Sequence, residues 1–155
     1  MKITIVAVDL RSPAWAFTAV EDYLTRFPRD WKVELKTVKE EPRHGQSKSD
    51  LMAAEADRIR KAIPKGSLLV TLDERGKDLT TVEFAKKLSA WQDSGESVAF
   101  VIGGTDGIDH ALKQESRMMI RLSSMTLPHA LARVILSEQI YRAWSILNNH
   151  PYHRA

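Results

Sequence analysis

The sequence contains no cysteine. Disulfide frameworks, thiolate metal sites and cysteine nucleophiles are therefore excluded, and any chemistry has to come from histidine, tyrosine, arginine, carboxylates or a cofactor. Long apolar runs are missing as well. The longest, residues 3–8 and 98–102, fall far short of the roughly 20 residues a membrane-spanning helix needs. Met1-Lys2 leads straight into a strand rather than a signal sequence, so a cytoplasmic location is expected. The glycine pattern of a dinucleotide fingerprint is absent after the first strand, where Asp9-Leu10-Arg11-Ser12 stands, and there is no Walker lysine motif. Standard NAD and ATP sites are thereby disfavoured. No internal repeat or low-complexity tract is present.

What remains is an ordinary globular composition. Hydrophobic residues at 43% and charged residues at 28% of 155 indicate neither disorder nor a fibrous class. The length suits one domain spanning residues 1–155. A formal net charge of +3 hints only mildly at a polyanionic partner, and clustering says more than the sum. From Tyr141 onward the chain carries Arg142, His150, His153 and Arg154 with no acid. A second basic stretch holds Lys39, Arg43, His44 and Lys48, diluted by Glu40 and Glu41.

Residues 3–8 are β-branched and nearly uninterrupted, as in a parallel strand covered on both faces. Ser12-Pro13 then starts a helix carrying Trp15, Ala19, Val20, Tyr23, Leu24 and Phe27 at helical spacing. Trp31, Val33 and Leu35 alternate with charged residues, predicting an edge strand with one wetter face. Residues 40–49 lack periodicity and predict a mobile loop. A weaker helix around Leu51, Ile59 and Ile63 follows, then a buried strand over 67–73 and a turn at Glu74-Arg75-Gly76-Lys77. Thr80 and Glu83 have capping-box spacing before a helix burying Phe84, Leu88 and Trp91. Residues 98–102 form a fourth strand ended by Gly103-Gly104, residues 108–119 a polar helix, and residues 121–125 a short fifth strand. The last helix runs from Pro128 to about Leu147. Its apolar surface, with Leu136, Ile140 and Trp144, is wide enough to suggest a subunit interface. Alternating strands and helices predict an α/β fold with a mostly parallel sheet flanked by helices.

Ligands of such sheets gather beyond the carboxyl ends of the strands. Leu72-Asp73, the Gly103-Gly104 turn and residues 123–127 mark three such ends. His150 and His153 carry metal-binding groups, but Pro151 disfavours a helix presenting both on one face and no acid lies nearby, so no metal is expected.

Four segments resemble one family in the right order: Ile102-Gly103-Gly104, Met125-Thr126-Leu127-Pro128-His129, Glu138-Gln139-Ile140-Tyr141-Arg142-Ala143 and Tyr152-His153. The chain resembles the ribosomal RNA large subunit methyltransferase H family, enzymes of the SPOUT class that methylate N3 of a pseudouridine in 23S rRNA. The resemblance extends from Lys2-Ile3-Thr4-Ile5 and Leu24-Thr25-Arg26-Phe27-Pro28 through Thr71-Leu72-Asp73 and Gly76-Lys77 to the end. It implies S-adenosyl-L-methionine in a pocket made by a C-terminal trefoil knot, within a homodimer whose neighbouring subunit helps form the site. It also implies 23S rRNA of the assembled ribosome as substrate. Cofactor contacts then fall on Leu72, Gly103, Gly104, Leu122, Ser123, Ser124, Met125, Thr126 and Leu127. The sequence departs from the family at Asp9, where glycine is usual, and in the loop over residues 39–48.

Pseudouridine N3 holds its proton at neutral pH, so methylation there requires proton removal and stabilisation of charge on the flanking carbonyls. His129 or His153 is the candidate base, Arg142 or Arg154 the candidate charge stabiliser, and Tyr152 a candidate stacking partner for a flipped base. The competing expectation is a non-catalytic RNA- or ribosome-binding module on the same fold.

Overall fold

The computed structural model of the protein describes residues 1–154. In chain order the elements are β1 (Lys2–Asp9), α1 (Ala14–Leu24), β2 (Lys32–Lys39), α2 (Lys48–Ala62), β3 (Leu68–Asp78), α3 (Thr81–Asp93), β4 (Val98–Ile102), α4 (His110–Glu115), β5 (Met118–Arg121) and α5 (His129–Leu147). All strand pairs are parallel and the order across the sheet is β2-β1-β4-β3-β5.

That order explains the strand sequences. β1 and β4 lie inside the sheet with helices on both faces, so neither alternates. Ile3, Ile5 and Phe100 face one cluster, with Leu88 of α3 and Leu136 and Ile140 of α5. Val6, Val8 and Val101 face the other, with Ile59 of α2 and Leu112 of α4. β2 is an edge strand, and its successive residues alternate exposed and half-buried, except that Leu35 and Lys36 are both half-buried. Helix starts follow local chemistry: Ser47 Oγ accepts from the Asp50 backbone N–H and Thr80 Oγ1 from that of Glu83, each at 3.1 Å. Pro13 and Pro128 serve as the N-cap residues themselves, in extended conformation and without a side-chain cap, one position earlier than a first-turn proline.

The structure corrects several sequence expectations. Residues 74–77 do not end β3, which continues to Asp78 with a register shift against β5 between Leu72 and Lys77. Gly76 permits this, because a Cβ there would lie 2.7 Å from the Ile120 backbone nitrogen. Strand β5 comes earlier than residues 121–125, and α4 occupies only the middle of the expected polar helix. Residues 40–47 are tied down: Arg43 pairs with Asp106 at 2.6 Å, the Glu41 N–H donates to Glu55 at 3.0 Å, and Arg58 pairs with Glu41 at 2.6 Å. Asp106 thereby faces two bases of that stretch, Arg43 and, at 3.8 Å, Lys48. Part of the wide apolar surface of α5 is covered within the chain, since α5 packs on α1, α3 and β4 together and leaves Leu136 and Ile140 at 0% exposure. Exposed apolar side chains include Trp15 at 54% and Phe17 at 64% on α1, and Leu131 at 37% on α5.

Candidate active site

A cavity of about 720 Å³ opens beyond the carboxyl ends of β3, β4 and β5. Leu72 and Asp73 of β3 form one wall, the turn from Gly103 to Ile108 a second, and the segment after β5 a third. His129 and Ala132, in the first turn of α5, contribute to the lining as well. Leu72, Gly103, Gly104, Leu122, Ser123, Ser124, Met125, Thr126 and Leu127 all line this one space.

Each wall has a local cause. At the second, the Gly107 N–H donates to the Gly104 carbonyl at 3.0 Å, and Gly107 has φ +88, so the chain reverses tightly. A Cβ on Gly103 would lie 2.7 Å from Ile108 Cγ1 and 2.8 Å from the Gly107 carbonyl carbon. The chain's own Ile108 side chain and Gly107 backbone thus already demand glycine at this position. At the third wall, Ser123 Oγ accepts from the Met125 N–H at 2.9 Å and holds the bend, while Met125 stands 76% exposed at the rim. At the first, burial pushes the Asp73 carboxyl up, but the Lys113 ammonium at 2.6 Å and the Arg75 N–H outweigh it and hold it below the usual carboxylate range.

His129 is the one charged-group candidate in this cavity. Neither ring nitrogen is solvent-accessible and neither makes a hydrogen bond of ordinary geometry. Burial lowers its pKa, the nearby Arg133 guanidinium lowers it further, and the Gly103 carbonyl and Asp9 oppose this only in part. The ring is therefore held neutral. Arg133, one turn along α5, was missed from the sequence. It is only 5% exposed, donates from Nη2 to the Val8 carbonyl at 2.8 Å and leaves Nε without a partner. Its signal was an arginine on the same helical ridge as Leu136, Ser137 and Ile140.

The remaining candidates gather elsewhere, and none lines the cavity. Arg142 pairs with Glu138 at 2.7 Å and its guanidinium lies 5.0 Å from the Tyr152 ring centre. The Tyr152 hydroxyl donates to Glu138 at 3.0 Å and lies 3.3 Å from that of Tyr23. Burial, Tyr23 and Glu138 together push its ionisation well above the ordinary phenol value. The Tyr152 ring packs on Tyr141 with centres 4.7 Å apart. His153 is anchored to Ser145, a second residue the sequence reading missed, and Arg154 is exposed. Among the described residues no group of three or more His, Asp or Glu side chains is placed to hold a metal ion, and no helix is long and apolar enough to cross a membrane.

Solved structures share this fold. A probable methylase family protein from Haemophilus influenzae Rd KW20 superposes with a TM-score of 0.61 at 18% identity, over 99% of this chain and 70% of that one. TrmJ from Z. mobilis ZM4 gives 0.57 at 14% identity, over 92% of this chain and 70% of that one. The family described as "Predicted SPOUT methyltransferase" matches residues 1–153. Ribosomal RNA large subunit methyltransferase H of Albidiferax ferrireducens is 57% identical, over 99% of both chains, and that of Bordetella avium 53% identical, over the full length of both. The chain belongs to the ribosomal RNA large subunit methyltransferase H family of SPOUT methyltransferases.

Proposed function

We propose that the protein transfers a methyl group from S-adenosyl-L-methionine to N3 of a pseudouridine in the 23S rRNA of the assembled ribosome. It acts in the cytoplasm as a homodimer of single-domain subunits, each with a C-terminal trefoil knot around the cavity. The family supports methyl transfer to large-subunit RNA over a non-catalytic binding module. The observation that carries the finer reading is the division of candidates within one chain: the cavity holds no tail residue, and the tail cluster holds no cavity residue. A site that needs both is completed by the tail of a second subunit, and exposed Trp15 and Phe17 offer apolar surface for that contact.

The cavity suits the cofactor. Its size lies within the roughly 300–1,000 Å³ of small-molecule sites, and Leu72, Ile102, Leu122 and Leu127 offer apolar contact beside the backbone groups of two turns. When bound, S-adenosyl-L-methionine supplies a methyl group already activated by its positive sulfur. The residues of the chain supply the rest. His129, neutral and with both ring nitrogens shielded from solvent, helps line the cavity. His153 takes the N3 proton of the base. Arg154, exposed at the chain end, meets the negative charge that spreads onto the base carbonyls. Arg142 holds Tyr152, jointly with Glu138, for contact with the base.

Incubation with methyl-labelled S-adenosyl-L-methionine and free 23S rRNA, isolated large subunits or whole ribosomes tests the reading. Label is expected in 23S rRNA from whole ribosomes, at N3 of a pseudouridine. Cofactor retained without transfer would instead favour the binding module.

A further inference from the structure

Ser145 lies on α5, is 0% exposed, and touches nothing in the cavity. Its hydroxyl oxygen has three polar neighbours from the tail: the His150 carbonyl at 2.8 Å, the His153 backbone N–H at 3.1 Å and His153 Nδ1 at 2.8 Å. A serine hydroxyl carries one proton and accepts through its lone pairs. The carbonyl has no hydrogen to give, so the hydroxyl proton points to His150 O. The His153 N–H donates onto the oxygen. Nδ1, 2.8 Å from the same oxygen, then has to donate as well, because a lone pair there would face another lone pair. His150 shows the reverse arrangement: its Nδ1 accepts from the Tyr152 N–H at 3.2 Å, which places its proton on Nε2.

We infer that Ser145 is a positioning residue that holds neutral His153 as the Nδ1–H tautomer, leaving the Nε2 lone pair as the proton acceptor, while His150 beside it is held as the opposite tautomer. The partner of one imidazole nitrogen decides the chemistry of the other. In the proton transfer the N3–H bond of the base breaks and an Nε2–H bond forms. The imidazolium keeps its Nδ1–H on Ser145, and Nε2 later releases its proton to water. This deepens the role proposed for His153 and rests on it.

Nitrogen-15 NMR of the imidazole side chains, with the rings brought to their neutral form, reads both tautomers directly in the full-length protein. The expected result is Nδ1–H for His153 and Nε2–H for His150; His153 as Nε2–H overturns the inference. In Ser145→Ala, His153 is expected to shift toward Nε2–H while His150 keeps its tautomer. Turnover should fall about tenfold or more, up to the 10²–10⁴ that a general base contributes, with KM for the cofactor unchanged. Ser145→Thr, which keeps the hydroxyl, should restore both. If instead both histidines lose their tautomers together and threonine restores neither, Ser145 is a tail anchor and its positioning role is overturned. A fully active His153→Ala beside the expected tautomers would sink the base assignment and leave the hydrogen-bond assignment standing.

Discussion

Replacing Gly103 with alanine separates two reasons for having glycine at the cavity turn. The added Cβ would sit 2.7 Å from Ile108 Cγ1, 2.8 Å from the Gly107 carbonyl carbon and 2.9 Å from its oxygen, all inside ordinary contact distance. Ile108 cannot swing aside, since it is 2% exposed and packed with Val8, Val101 and Leu112. The turn itself has to move, carrying the segment 103–108 that forms one cavity wall. Overpacking of this kind costs about 1–3 kcal/mol. For a chain of this size each kcal/mol lowers the melting temperature by roughly 2–4 °C, so a fall of about 2–12 °C is expected. Cofactor affinity should weaken on the order of tenfold, equivalent to about 1.4 kcal/mol. Differential scanning calorimetry reads the first and titration calorimetry with S-adenosyl-L-methionine the second. An unchanged melting temperature with lost affinity would show that the space belongs to the ligand and not to the chain. No change in either would refute the close approach altogether.

Four further outcomes follow from the structure. His129 has a lowered pKa in the folded state, so the unfolded chain binds the extra proton and stability falls as pH drops below about 6.5; in His129→Gln this slope should shrink by up to one proton, as read by denaturant unfolding across pH, while the Asp73 contribution is lost only below its ordinary value of 3.8. Truncation after His150 removes Tyr152 and His153 but no cavity residue, so cofactor affinity should survive within about twofold while methyl transfer to ribosomes drops by at least the 10²-fold a general base contributes; full turnover would show the tail dispensable. Ile140→Asp places a carboxylate at a site with 0% exposure inside the chain and should unfold the protein, at a cost of several kcal/mol, rather than dissociate it. By contrast, the double variant Trp15→Asp, Phe17→Asp should stay folded by circular dichroism and become monomeric by light scattering, and a dimer of unchanged mass would place the interface elsewhere.

Much of this was legible in the chain because it is local. Unbroken β-branched runs at residues 3–8 and 98–102 announced strands covered on both faces, alternation at Val33 and Leu35 announced an edge, and Thr80 with Glu83 announced a helix start that the structure shows bonded. The strand ends that line the cavity carried glycine and polar turns with positions readable one residue at a time. Other features depend on which distant segments meet, and periodicity holds no record of that. β3 continues through Gly76 because Ile120 passes against it. The apolar breadth of α5 reads identically whether a second subunit or α1, α3 and β4 cover it, and only packing assigned Leu136 and Ile140 to the interior. Arg133 reads as an ordinary helical arginine until α5 is laid over the end of β1 and its guanidinium reaches the Val8 carbonyl. Ser145 reads as a neutral helix residue until the tail doubles back onto it. A hydrogen bond between residues 8 and 133, or a hydroxyl shared by residues 145, 150 and 153, is a fact about three-dimensional approach, which no local pattern in the chain records.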